Sequence, residues 1–459
     1  MSTDPAPSTP TRKRLSVITK LAYGIGDIGA AVGASLNGFF LLPFLLDVAG
    51  IRGAWLSPVF LIGRVWDSIN DPIIGYLSDN THTRWGRRRP WLLFGAIPFG
   101  LTFVLLWYAP PFNELGRLIY FLVVSLIYYF SFTAVNLPYT ALTPELTPDY
   151  NERTDLNTYR FSFSILSGIA AAALYVPIIA AFEDKIIGHL VMASIFGGIT
   201  IVTSAIPFFF TKEPPHPAET EKQPGVWEGL RIAFSNRSFV LVTTIYLLSW
   251  LAIQFVQSNL FLYVKYWHNL EDQFTFLVIG VQLSAWVWVL IWNQVCQRIG
   301  KKPVYLLGMS FWVLVSFGLF FAPRGNLTIL LTLAVLAGVG VAVGYLIPWS
   351  MLPDVVDEDE LNTGIRREGV FYGLFVLLQQ SGIGLALSAS SLILDVFGYI
   401  PGNPPTQPDS AVLALRLFVS VVPVVILLLS FIAVYLYPIT RQRHTEIRAE
   451  LDARHATTP

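Results

Sequence analysis

Charge is what this chain has least of. Only 13% of its 459 residues are Asp, Glu, Lys or Arg, about half the roughly 25% of a soluble domain. That shortage excludes an ordinary water-soluble globule. Thirty basic residues balance thirty acidic ones, so no bulk positive charge recommends a nucleic-acid partner. Cysteine is nearly absent as well. The single Cys296 cannot form an internal disulfide, and the six histidines stand in no HExxH or CxxC spacing, which leaves a His/Cys metal site without support. No catalytic constellation is visible, so the chain does not read as an enzyme and calls for no cofactor.

Apolar residues, 54% of the chain, fill the space that charge leaves. Twelve apolar runs, at 21–46, 55–78, 90–109, 118–142, 161–181, 187–210, 239–264, 274–295, 304–322, 327–352, 370–397 and 412–437, each reach across roughly 30 Å of hydrocarbon as a helix. Unpaired backbone is not tolerated against lipid, so runs of this length predict an all-α polytopic membrane protein and not a barrel. The polar first nineteen residues are followed by no small-residue cleavage pattern, which argues against a cleaved signal peptide.

Alternate connections differ in Lys and Arg. One set holds 23 of the thirty, the other set 5, and Arg64 and Arg416 lie within spans. The positive-inside rule then places both termini in the cytoplasm of a plasma (inner) membrane. The organisation expected is a cytoplasmic tail at 1–19, a six-helix lobe at 20–211, a linker at 212–236, a second six-helix lobe at 237–437 and a tail at 438–459. Within the linker, 226–236 suits either a short interfacial helix or an early start of the seventh span. Two echoes support paired lobes. Arg84-Trp-Gly-Arg87-Arg88-Arg89-Pro90 after the second span is answered by Arg298-Ile-Gly300-Lys301-Lys302-Pro303 after the eighth, and Pro138 to Glu145 by Pro348 to Asp354. Repeats six helices apart fit a two-lobed carrier.

Ionisable groups away from span ends are the informative ones, since each costs about 2.5 kcal/mol or more at a helix centre. The second span carries three. Asp67 and Asp71 are spaced i and i+4, with Arg64 three residues before Asp67, so all share one side of a helix. Their sum is one negative charge in hydrocarbon, which calls for Na⁺ or a proton. A purely structural ion-pair network is the alternative. Asp27 lies toward the cytoplasmic end of the first span, where a helix-start role competes with a functional one. Asp79 with Arg84 and Arg88, and Glu145, Arg153 and Arg160 against Asp354, Asp357, Arg366 and Glu368, read as a cytoplasmic gate.

Trp66-Asp67-x-x-Asn70-Asp71-Pro72, Gly75-x-x-Ser-Asp79, Arg84-Trp-Gly-Arg-x-Arg-Pro-Trp, Pro138-Tyr-x-Ala-Leu-x-Pro-Glu-Leu and Arg366-x-Glu368-Gly369 together resemble the glycoside-pentoside-hexuronide:cation symporters, the melibiose-permease branch of the major facilitator superfamily. The resemblance covers nearly the whole chain. It implies a two-lobed, twelve-helix carrier, in which Na⁺ or H⁺ flow drives uptake of a small-molecule substrate by alternating access, working as a monomer in the bilayer. It puts Asp67, Asp71 and Thr133 at the cation, with Asn136 where melibiose permease has an Asp. At the substrate it points to Arg160, Thr140 and Gln380, the last two replacing that permease's Trp and Lys, with Asp27 and Arg64 nearby; Ala31 replaces a sugar-binding Asp. The primary expectation is symport of a sugar, glycoside or similar polar solute. Paired acids and a similar Pro-Tyr-x-Ala-Leu-Thr segment also link the chain to sodium-dependent lysophospholipid carriers, so an amphiphile is the alternative, and a non-transporting scaffold or sensor a third reading.

Overall fold

The computed structural model describes residues 15–147, 150–213, 226–365 and 367–457, and among them every regular element is a helix. The first crossing is built from α1 (Val17–Ile25), α2 (Ile28–Leu36) and the π-helical turns Asn37–Leu41 and Phe44–Val48. Five long helices complete the first half: α3 (Gly53–Asp79), α4 (Arg89–Leu106), α5 (Glu114–Leu146), α6 (Tyr150–Ala180) and α7 (Lys185–Phe210). After the short α8 (Val226–Ser235), the second half comprises α9 (Arg237–Tyr263), α10 (Phe274–Ile299), α11 (Lys301–Phe321), α12 (Leu327–Thr363), α13 (Glu368–Val396), and the pair α14 (Asp409–Val419) and α15 (Val421–Leu436), which form one crossing. The helix α16 (Arg441–Thr457) closes the described chain.

Eleven of these crossings are long and apolar enough to span a bilayer. The remaining one is α3, whose interior holds Arg64, Asp67 and Asp71. The protein is an integral membrane protein. Side-chain caps mark several helix starts: Asn113, Asp184, Asn236 and Asn326 each accept a backbone N–H of the following turn, satisfying donors that the helix itself leaves free. The Asn236 cap separates α8 from α9, so 226–236 is a distinct helix and not an early start of the seventh span.

Small residues set the closest approaches. A Cβ on Gly100 of α4 would stand 2.5 Å from the Gly197 carbonyl oxygen of α7, and one on Gly340 of α12 would stand 2.3 Å from the Trp312 Cβ of α11. Helices in lipid associate by such contacts, because hydrocarbon offers no hydrophobic drive between them.

Within the first half α3 and α4 pack on α5, α4 on α7 and α2 on α6; within the second, α10 and α11 pack on α12, and α9 on α15. Between halves α3 runs along α13, α6 meets α10, and the first π-helical turn meets α9. Under a six-helix shift α3 corresponds to α10 and α6 to α13, so the two long interhalf pairs are one contact seen twice. An even number of crossings puts both described ends on one face, the terminal face.

Candidate functional site

The charged stripe of α3 faces α5 and α13. Asp67 is only 3% exposed, and Thr133 Oγ1 lies 3.2 Å from Asp67 Oδ1 and 3.2 Å from Asp71 Oδ1. A hydroxyl has one proton to donate. It serves one carboxylate at a time, so two carboxylate oxygens and a hydroxyl oxygen converge with fewer donors than acceptors. Arg64 Nη1 donates to Gln380 Oε1 of α13 at 2.6 Å and stands 3.5 Å from Asp67 Oδ2, with its guanidinium carbon 4.9 Å from the Tyr129 ring centre. One guanidinium against two carboxylates leaves one negative charge, and hard oxygen donors suit a monovalent alkali cation. No group of three His, Cys, Asp or Glu side chains is placed to hold a metal ion among the described residues; here two acids are completed by neutral oxygen.

Asn70 belongs to the same stripe and was passed over in the sequence reading. It is 1% exposed, and neither its Oδ1 nor its Nδ2 has a hydrogen-bond partner. Such an orphaned amide is costly at this depth, and an ion beside Asp67 and Asp71 would satisfy the oxygen. Its spacing, three residues after Asp67, was the available signal. Asn136 follows Thr133 by one turn of α5 and makes no side-chain hydrogen bond among the described residues. Thr140 hydrogen-bonds back to the Leu137 carbonyl at 3.0 Å.

A second polar cluster lies at the break between α1 and α2. Asp27 is 6% exposed and stands 3.3 Å from Arg160 Nε of α6. Tyr139 OH donates to the Tyr23 carbonyl at 2.6 Å, and the two rings stack 4.8 Å apart. Asp27 therefore stands at the start of α2 and in a buried ion pair. The glycines of this segment permit the approach: a Cβ on Gly26 would stand 2.5 Å from Pro207 and 2.7 Å from Tyr139. No hydrogen bond or ion pair among the described residues joins the Asp27–Arg160 and Arg64–Gln380 pairs, which lie on different helix pairs.

The charges expected as a gate pair locally. Arg87 and Arg88 both reach Glu145 at 2.5 and 3.1 Å, and Arg88 also holds Asp79 at 3.0 Å. Arg84 lies over its neighbour Trp85, and Arg153 donates to the Thr147 and Pro144 carbonyls. In the second half Lys301 binds Asp354, while Asp357 faces His444 and Arg448 of α16. Glu368 opens α13; Arg366 lies outside the described residues. These pairs each stay within one half.

The opposite face is joined across the halves. Asp47 accepts from Lys265 Nζ, from Tyr266 OH at 2.8 Å and from Tyr399 OH at 2.6 Å. The Gly402 N–H donates to the Leu46 carbonyl at 3.0 Å. Below this seal, an apolar cavity opens between α9, α10, α11 and α12 of the second half and Phe39 of the first. Its walls are Val, Leu, Ile, Ala, Phe39 and Trp312, with Gln257, Gln282 and Tyr345 as polar points. Mostly apolar walls with a few polar points are typical of small-molecule sites.

Known proteins share both sequence and shape with this chain. The profile of the MFS/sugar transport protein family matches residues 22–441. An uncharacterized symporter of Synechocystis sp. is 42% identical over 96% of this chain and 98% of its own length. The sodium-dependent lysophosphatidylcholine symporter 1-A of Danio rerio is 28% identical over 95% of this chain and 88% of its own. In shape, a variant of the nucleoside transporter NupG superposes with a TM-score of 0.68 over 91% of this chain and 99% of that one, at 13% identity, which speaks to the fold. With a family match across the membrane domain and acids buried at its centre, this chain belongs to the MFS/sugar transport proteins, as a cation-coupled symporter of the melibiose-permease-like branch of the major facilitator superfamily.

Proposed function

We propose that Asp67, Asp71 and Thr133, with the Asn70 amide oxygen, hold the coupling cation, and that this cation is Na⁺. The observation that carries it is the Thr133 hydroxyl set between two carboxylate oxygens at equal distance. Cation binding cancels the buried negative charge and lowers the cost of occluding the site; substrate then binds a carrier already neutralised, so the two affinities rise together. Arg64 links this event to the second half, because its guanidinium spans Asp67 and Gln380 of α13.

For the substrate, the apolar cavity favours an amphiphile with one alkyl chain, the chain lying among α9 to α12 and the head in the polar region near Arg64 and Gln380. The sodium-dependent lysophosphatidylcholine symporter among the relatives supports this reading. A glycoside or similar polar solute is the second reading, favoured by the buried Asp27–Arg160 pair beside Tyr139, which offers charged and hydrogen-bonding groups to hydroxyls. The terminal face, richer in Lys and Arg, is the cytoplasmic face of the plasma membrane, so this conformation is sealed toward the outside.

The test is uptake into proteoliposomes of labelled lysophosphatidylcholine and of labelled glycosides, each with a Na⁺ gradient, with a proton gradient alone and with neither. Na⁺-driven uptake of the lysolipid alone is the expected outcome. Uptake driven equally by protons without Na⁺ would contradict the cation assignment, and glycoside uptake without lysolipid uptake would turn the substrate to the second reading.

A further inference from the structure

On the terminal face most charged side chains are paired, and one cavity stands apart because it gathers charges that are not. It lies where α8, the start of α9 and the end of α12 meet. Arg231 and Arg237 line it, and neither is paired with a carboxylate among the described residues. So does Glu358, also without a partner there. Asp359 is only 5% exposed, its Oδ2 accepts no hydrogen bond, and its ion pair with Arg367 is stretched to 3.7 Å. Ser238, 3% exposed, completes the wall.

These groups ask for a ligand bearing both signs. Arg237 opens the 27-residue α9, where free backbone N–H groups and the helix dipole already favour an anion, and Arg231 reaches the same cavity from α8. Guanidinium forks match phosphate oxygens. The half-satisfied Asp359 and the unpaired Glu358 answer a cation instead, and a buried carboxylate oxygen without a donor is costly until one arrives. A phosphate alone would leave the acids unanswered, and an amine alone would leave the arginines so. The surroundings name the source: Phe234 of α8, between Arg231 and Arg237 in sequence, is 52% exposed, as suits a short helix lying in the membrane interface.

We infer that this cavity binds the headgroup of a zwitterionic phospholipid of the adjoining leaflet, phosphate toward Arg231, Arg237 and the α9 N-terminus, ammonium toward Asp359 and Glu358. The site is separate from the transport path: it touches neither Asp67 and Asp71 nor the apolar cavity. A lipid held there ties α8 to the ends of α9 and α12.

The experiment uses the purified full chain in detergent, with native mass spectrometry counting retained lipid and thermal unfolding as a second readout. The probes are dioleoylphosphatidylethanolamine, dioleoylphosphatidylglycerol and free phosphoethanolamine. Phosphatidylethanolamine is expected to be retained and to bind about tenfold more tightly than phosphatidylglycerol. The Arg231→Gln/Arg237→Gln double variant is expected to lose about tenfold of that affinity while cation-driven uptake stays unchanged. Asp359→Asn is expected to erase the preference between the two lipids without erasing binding. Equal binding of both lipids by the wild-type chain would overturn the zwitterion, unaltered binding by the arginine variant would overturn the site, and free phosphoethanolamine binding as tightly as the lipid would overturn the bilayer as its source.

Discussion

The two faces of this carrier are held by different kinds of contact. On the face opposite the chain ends, Asp47 of the first half is gripped by Lys265, Tyr266 and Tyr399 of the second, with the Gly402 backbone beside them. On the terminal face, Glu145 is held by Arg87 and Arg88, Asp354 by Lys301, and Asp357 by α16, each within its own half. Bonds across the halves close a face; bonds within a half keep its charges satisfied while the face stands apart. The difference teaches that the same chemistry serves both, and that a two-lobed carrier needs alternative partners for whichever face is open. The buried acids of α3 lie between the two.

Breaking the sealed face carries the largest expected effect. Asp47→Asn removes the carboxylate that neutralises Lys265, whose side chain is 15% exposed, and losing one member of a buried pair costs about 3–5 kcal/mol. The seal has an alternative in the open state, so the expected outcome is a shift of population, read as about tenfold or more faster alkylation of a cysteine placed at Phe39. Unchanged alkylation would mean that the seal rests on apolar contacts alone. Next comes Gln380→Ala. It removes a 2.6 Å hydrogen bond between α3 and α13, about 1.5–3 kcal/mol for a bond to a charged donor, and is expected to slow substrate uptake severalfold with Na⁺ affinity little altered.

On the terminal face, deleting α16 after Pro438 frees Asp357 from His444 and Arg448 and uncovers the apolar seat of Ile447 and Leu451, both buried. The expected outcome is a lower unfolding temperature with transport retained. Glu145→Gln is expected to shift the population least, since Glu145, although buried, is held by Arg87 and Arg88 within its own half, and Arg88 keeps Asp79. An effect of Glu145→Gln larger than that of Asp47→Asn would reverse the comparison.

Much of this was legible in the sequence, and the parts that were not share a cause. The helical bundle follows from run length, and the shared face of Arg64, Asp67 and Asp71 from their spacing, because both are local properties of one helix. The Lys265–Asp47 pair was not legible: its members are 218 positions apart, and each looks like an ordinary span-end charge. The partner of Asp27 was not legible for the same reason, since only the fold brings Arg160 of α6 beside it. The gate charges were expected to reach across the halves, yet a sequence cannot say which conformation supplies the partners. Asn70 had only its spacing, three residues after Asp67, to mark it; burial revealed an amide without partners. The docking of α16 had a readable sign in Ile447 and Leu451, an i, i+4 apolar pair in a polar tail.

The most direct test of the central claim is Na⁺ binding by the purified protein, followed by isothermal titration calorimetry in the wild type, in Asp71→Asn and in Thr133→Ala. The expected result is saturable binding of one Na⁺ by the wild type, none by Asp71→Asn in a protein that remains folded, and an intermediate affinity in Thr133→Ala. Undiminished Na⁺ binding by Asp71→Asn would contradict a cation site built on the two acids of α3.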